Sequence, residues 1–96
     1  MGVIPLSKIG QIQTLVYNGL YYLTEHADDE AASDGFDIYD VERGILTGKI
    51  RRTWPKEGKY EVVGLALDGR RIGIVCRITQ SGKVRVITVY EDTSTR

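Results

Sequence analysis

The stretch YEVVGLALDGRRIGIVCRITQSGKVRVITVY, residues 60–90, decides the fold. Asp68-Gly69 and Ser81-Gly82 interrupt runs rich in Val and Ile, and such dipeptides between alternating apolar runs are hairpin signals. Strands are therefore expected at Tyr60–Leu67, Arg70–Thr79 and Val84–Tyr90. If both turns are two-residue loops, the register follows by counting. Leu65 then faces Ile72, Val63 faces Ile74 and Tyr60 faces Arg77. Across the second turn, Arg77 faces Val86, Val75 faces Thr88 and Gly73 faces Tyr90. Side chains alternate along a strand, so whole rows share a face. One face collects Val63, Leu65, Ile72, Ile74, Cys76, Ile78, Ile87 and Val89, a core able to receive helices. The other collects Tyr60, Val62, Arg71, Val75, Arg77, Val86, Thr88 and Tyr90.

Outward from this stretch, Lys49–Trp54 alternates as a fourth strand, joined to the Tyr60–Leu67 strand through Pro55-Lys56-Glu57-Gly58. Upstream lie helical signals. Asp37 with Asp40 has capping-box spacing, and Ile38, Val41, Ile45 and Leu46 form an apolar stripe ending at Gly48. Thr24 is an N-cap candidate for a second helix over His26–Ser33, with Glu25, Asp28 and Asp29 suited to its positive end. Ser7 opens a third over Ser7–Asn18, with Ile9, Ile12, Leu15 and Val16 on one face. Leu20–Thr24 is a short extended run. The expected class is α+β: two to three N-terminal helices on one face of a four-stranded antiparallel sheet. A single domain over residues 1–96 is expected, with a helix inside 1–19 and a flexible polar tail at 91–96.

Ninety-six residues with 42% hydrophobic and 27% charged side chains suit one folded domain. No apolar run approaches the roughly 18–20 residues of a membrane span, and Met1–Lys8 lacks the pattern of a signal peptide. The single cysteine excludes an internal disulfide, and a cytoplasmic location is expected. Net charge is zero but divided. Residues 1–42 hold one base and eight acids, a net of −7; residues 43–96 hold twelve bases and five acids, a net of +7. The basic half is suited to a polyanion, or the halves neutralise each other in the fold.

Chemistry concentrates in three places. Arg77 offers a fork of donors to phosphate oxygens, with Tyr60 beside it and Thr88 and Tyr90 further along; the structural alternative is an Arg paired with an acid. His26 is the only histidine, the residue type suited to acid–base work near neutrality, and so an acid–base candidate, or a surface residue beside Asp29 and Glu30. Arg51, Arg52, Lys56 and Lys59 surround the first turn with Trp54 and Tyr60 interleaved. That mixture suits single-stranded nucleic acid, or a plain solvated hairpin. One His and one Cys do not make a zinc site, and the acids Asp34, Asp37 and Asp40 lack calcium-loop spacing. No phosphate loop or dinucleotide fingerprint is present, so neither metal nor cofactor is expected. Cys76 falls on the expected core face, as packing.

The order of elements from Leu23 to Tyr90 resembles the prokaryotic domain-of-unknown-function family 4258, allied to the RelE/ParE-like and BrnT toxins. The resemblance rests on Thr24-Glu25-His26-Ala27, the Ile38–Leu46 helix ending in Gly48-Lys49-Ile50, the Tyr60–Gly64 strand, and Val86-Ile87-Thr88-Val89-Tyr90-Glu91. It implies a RelE-type fold and a toxin of a toxin–antitoxin module, acting as a ribonuclease and neutralised by a cognate antitoxin. His26 and Tyr90 match family positions. The acids Asp29, Glu30 and Asp34 stand where the family often carries Arg, and the chain is neutral where such toxins are usually basic.

The resulting expectation is a metal-independent endoribonuclease. The RNA 2′-hydroxyl attacks the adjacent phosphate, and Arg77 stabilises the developing charge. His26 or the Tyr90 phenol moves protons. Tyr60, Thr88, Arg51, Arg52 and Lys56 bind substrate. The alternatives are a non-catalytic protein-interaction domain using Val62, Val75 and Val86, and a ParE-type toxin acting on a protein such as gyrase. The Ser7 helix is a candidate cover for the second sheet face. Oligomeric state is left open.

Overall fold

A computed structural model describes residues 7–93; the readings made for Met1–Leu6 and for residues 94–96 lie outside them. The elements in chain order are α1 (Lys8–Tyr17), β1 (Tyr21–Leu23), α2 (Glu25–Ser33), α3 (Ile38–Thr47), β2 (Lys49–Trp54), β3 (Lys59–Leu65), β4 (Arg71–Ile78) and β5 (Val84–Glu91). The fold is α+β, with three helices and a five-stranded mixed sheet in the order β1-β5-β4-β3-β2.

The helices begin where their caps dictate. Ser7 accepts from Gly10 N, Thr24 from Ala27 N, and Asp37 with Asp40 forms a reciprocal capping box. All three helices pack on one side of the sheet. Val41 and Ile45 of α3, Ala27 and Ala31 of α2, and Ile12 and Val16 of α1 share one buried cluster with Val62, Ile72, Ile74, Cys76, Val84, Val86 and Val89. Each fully buried Ile or Val there contributes roughly 1.5–3 kcal/mol. α3 sits so close to β3 that a Cβ on Gly64 would lie 1.9 Å from the Gly44 carbonyl oxygen. α1 lies beside α3, where Gln13 Nε2 donates to the carbonyls of Ile45, Leu46 and Gly48 at 3.0, 3.4 and 3.3 Å. It therefore covers the core face and not the second face of the sheet, as one expectation had it.

The sheet has five strands, not four, and is not wholly antiparallel. The run at Tyr21–Leu23 joins it as β1, parallel to Val84–Val86 of β5. Three residues carry too little periodicity to announce a strand, and the pairing partner lies some sixty residues away.

The register also differs from the count. Ala66 N donates to Arg70 O, and Gly69 N donates to Ala66 O, so Leu67-Asp68-Gly69 is a three-residue loop. Gly69 occupies its left-handed position at φ +87°. One extra residue inverts β3 against β4. Tyr60 therefore faces Cys76, and Lys59, not Tyr60, faces Arg77. Tyr60 and Val62 turn to the helices, while Val63 and Leu65 turn to the open face. Thr79 and Lys83 close the second loop in the same way around Gly82, φ +83°. There the slip is undone by a bulge at Ile87. Val86 faces Cys76 and joins the core, whereas Val75–Thr88 and Gly73–Tyr90 pair as counted. Cys76 is fully buried, and burial pushes its thiol up to about 12. β5 runs to Glu91 and Asp92 is buried, so the polar end begins later than residue 91.

Candidate nucleic-acid interface

On the face away from the helices, the pairings set out four rows. The first is Trp54–Lys59–Arg77–Arg85–Tyr22, one residue from each of the five strands. The second is Arg52–Glu61–Val75–Thr88, the third Lys49–Val63–Gly73–Tyr90, and the fourth brings Leu65 and Arg71 beside Asp92. No described segment covers this face.

The first row places three cations directly opposite one another, on β3, β4 and β5. Lys59 pairs with Glu57 at 2.8 Å. Arg77 and Arg85 are exposed and make no ion pair among the described residues. Like charges directly opposite destabilise a sheet. With Lys56, Glu57 and Ile87 they line a shallow hollow of about 450 Å³. At strand spacings of ~4.8 Å the row spans roughly 19 Å from Trp54 to Tyr22.

Two rows away lies a different arrangement. The bulge between Ile50 and Arg52 leaves Arg51 unpaired in the ladder, and its guanidinium turns onto the open face. It donates to Tyr90 Oη at 2.7 Å, to Glu61 at 3.3 and 3.4 Å and to Asp92 Oδ2 at 3.1 Å. Arg71 holds the same Asp92 oxygen at 2.9 and 3.1 Å. The Tyr90 hydroxyl donates to Glu61, and its ring lies on Gly73, where a Cβ would come within 2.1 Å of Cζ. These cations are already matched by acids, so this cluster braces the sheet, whereas Arg77 and Arg85 of the first row have no carboxylate partner among the described residues.

The bracing has a pH signature. Burial, then the bond to Glu61, pushes the Tyr90 phenol up to about 12. Burial acts to raise Glu61, but the bonds from Tyr90 and Arg51 outweigh it and hold the carboxyl below its ordinary value. The lowered carboxyl stabilises the fold above its unfolded pKa of ~4.3, and that contribution is lost as pH falls through the folded value. The raised phenol stabilises below ~10 and its contribution is lost as pH rises through about 12. In an ultraviolet titration of the tyrosinates, Tyr90→Phe is expected to remove the step near pH 12. A step unchanged by the substitution would assign it to another tyrosine and break the network.

The remaining expected site residues are dispersed. His26 lies on α2, in the helical layer, with its side chain 70% exposed. Its Nε2 meets Glu30 Oε2 at 3.1 Å, and the other Glu30 oxygen accepts from Val89 N. The imidazole thus steadies a carboxylate that caps the sheet edge and does not share a face with Arg77 or Tyr90. Tyr60 is turned to the helices, where Lys8 Nζ stands 5.7 Å from its ring centre. Arg51 belongs to the brace. Arg52 stands 5.2 Å from the Trp54 ring, Thr88 is in the second row, and Lys56 lines the hollow beneath the first. Among the described residues no group of His, Cys, Asp and Glu is placed to hold a metal ion, and no helix is long and apolar enough to cross a membrane.

Several residues have roles that sequence reasoning missed. Arg85 entered no candidate set, because its place depends on the loop length and the bulge. Arg70 stacks 4.2 Å from the Phe36 ring and donates to the Asp34 and Gly35 carbonyls, tying the hairpin to the α2–α3 junction. Asp40 caps α3 and also accepts from Leu67 N at 3.0 Å.

The family model described as a domain of unknown function (DUF4258) matches residues 23–91, which takes in the whole basic face except Tyr22 and Asp92 and leaves out α1. No curated protein and no solved structure matches the chain.

Proposed function

The chain belongs to the DUF4258 family, and from that premise we propose that it binds RNA across the open face of its sheet, as a RelE-like toxin with endoribonuclease activity. One observation carries the reading: Lys59, Arg77 and Arg85 stand opposite one another, and neither arginine has a carboxylate partner among the described residues. A phosphodiester backbone laid along the row supplies the missing negative charge. Where the 2′-oxygen bonds to the neighbouring phosphorus, the P–O5′ bond breaks to leave a 2′,3′-cyclic phosphate and a 5′-hydroxyl. The proton lost by the 2′-hydroxyl is balanced through solvent by the one the 5′-oxygen gains, and the two guanidinium groups stabilise the charge on the phosphate oxygens. Tyr90 is not a base near neutral pH: its phenol is held protonated, and its proton is donated to Glu61 in the brace. A cognate antitoxin would have to cover this face.

The test uses purified protein and a labelled single-stranded RNA. Binding is expected to weaken with salt, log K falling against log salt with a slope of about −2 for three cations at ~0.7 each. Cleavage is expected to persist in EDTA. Salt-independent binding, or none, would sink the reading. Intact RNA with normal binding would remove the ribonuclease part alone. His26→Ala is expected to leave binding unchanged, because the imidazole is on the helical side; loss of cleavage in that variant would return to His26 the role the resemblance implies.

The non-catalytic reading draws on another patch. Val62 and Val86 are fully buried under the helices. Leu65, 47% exposed, lies instead at the far end of the open face and lines a hollow of about 410 Å³ with Val63 and Arg71, and Leu67, 64% exposed, follows in the loop. A protein partner would be expected there.

A further inference from the structure

We propose that the basic row selects single-stranded RNA, with an unpaired base stacking on Trp54 while its phosphate lies on Lys59 and Arg77. This rests on the RNA-binding reading and adds to it the substrate class. The row does not end in solvent at β2 but in an indole. Trp54 is the direct partner of Lys59, and its ring has cations at 5.2 Å (Arg52) and 5.5 Å (Lys59). The indole is half-buried. A hollow of about 370 Å³ opens on the turn and is lined by Trp54, Pro55, Lys56 and Glu57 only. An aromatic ring at the edge of this hollow offers a flat surface for a base, and its cross-strand partner Lys59 a charge for the phosphate.

The geometry separates single strands from duplexes. Lys59, Arg77 and Arg85 read phosphate alone and give no such distinction. A duplex keeps its bases stacked on each other and cannot present one to the indole. An extended single strand can rotate one base outward while its backbone follows the row. Tyr22, 40% exposed and paired with Arg85, puts a second ring at the other end of the row.

Trp54 is the only tryptophan in the chain, so its fluorescence reports directly on this site. The probes are a short oligoadenylate, an RNA duplex of equal charge, and inorganic polyphosphate, which has charge and no base. The oligoadenylate is expected to quench the emission strongly and the other two weakly. Trp54→Ala is expected to lower oligoadenylate affinity roughly tenfold, to leave polyphosphate affinity unchanged and to bring single-strand and duplex affinities together. Trp54→Phe, which keeps a ring, is expected to recover most of the difference, and thermal melting verifies that both variants fold. Equal losses for all three probes would overturn the proposal, as would oligoadenylate binding without quenching. Polyphosphate binding with no preference for single strands would overturn it while leaving the basic row intact. Failure of every polyanion to bind would overturn the RNA-binding reading and the proposal with it.

Discussion

Arg77→Thr combined with Arg85→Thr is expected to make the protein more stable and much poorer at binding RNA. The two effects have one origin. Arg77 and Arg85 are direct cross-strand partners on β4 and β5, both exposed, and Lys59 faces Arg77 from β3. Repulsion between like charges directly opposite is worth ~0.2–1 kcal/mol, and threonine suits an exposed strand position. Relief of the repulsion should raise the melting temperature by a few degrees, since about 1 kcal/mol moves a domain of this size by roughly 4–8 °C. Each arginine supplies a charged hydrogen bond to phosphate worth ~1.5–3 kcal/mol, so loss of both should lower RNA affinity by roughly 100-fold or more. The salt slope should shrink by about 1.4 for two charges at ~0.7 each. Calorimetry and fluorescence anisotropy on the same preparation check both halves. A double variant that melts lower and binds as before would show that the arginines serve the fold.

Gly64→Ala is expected to be the most damaging single substitution. The added Cβ would stand 1.9 Å from the Gly44 carbonyl oxygen and 2.8 Å from Thr47 Oγ1. Neither neighbour is a flexible chain end: one is helix backbone, and the other is held in bonds to Leu65 N at 2.9 Å and to Arg43 O at 2.9 Å. α3 would have to lift from the sheet, separating Val41 and Ile45 from Ile72 and Ile74. Overpacking of this kind costs about 3 kcal/mol, lowering the melting temperature by roughly 12–24 °C. Gly69→Ala is the control. Its Cβ meets nothing within 4 Å, and only the φ of +87° opposes it, at about 1–2 kcal/mol. Similar melting points for the two variants would mean that α3 stands further from β3 than the Gly44–Gly64 contact requires.

The local elements were legible in the sequence because local chemistry makes them. Ser7, Thr24 and Asp37 cap the helices that their side chains predict, and the apolar stripe of α3 turns to the core. The hairpins were legible as hairpins. Their register was not. Asp-Gly and Ser-Gly serve two-residue and three-residue loops alike, and one residue decides which face every side chain of β3 occupies. The bulges at Arg51 and Ile87 have no sequence signature at all. The candidate site depends on these choices together: Arg77 was singled out by a count that set it against Tyr60, whereas its neighbours in three dimensions are Lys59 and Arg85. Two of the three acids that depart from the family's pattern, Glu30 in α2 and Asp34 at its C-cap, have structural partners. Glu30 and Asp34 accept from Val89 N and Glu91 N at 3.1 and 2.8 Å.

Those two hydrogen bonds decide how this molecule can meet another strand. β1 pairs with β5 only over Val84–Val86, and beyond it the ladder donors of Val89 and Glu91 would be free to recruit a further chain. The carboxylates of α2 occupy them first, so this side of the sheet resists strand addition and the polymerisation that follows from it. Strand addition along β5 is thereby blocked at these donors, and the other outer strand of the sheet is β2. There the Arg51 bulge breaks the repeat after Ile50, so an added strand can pair smoothly on only one side of it.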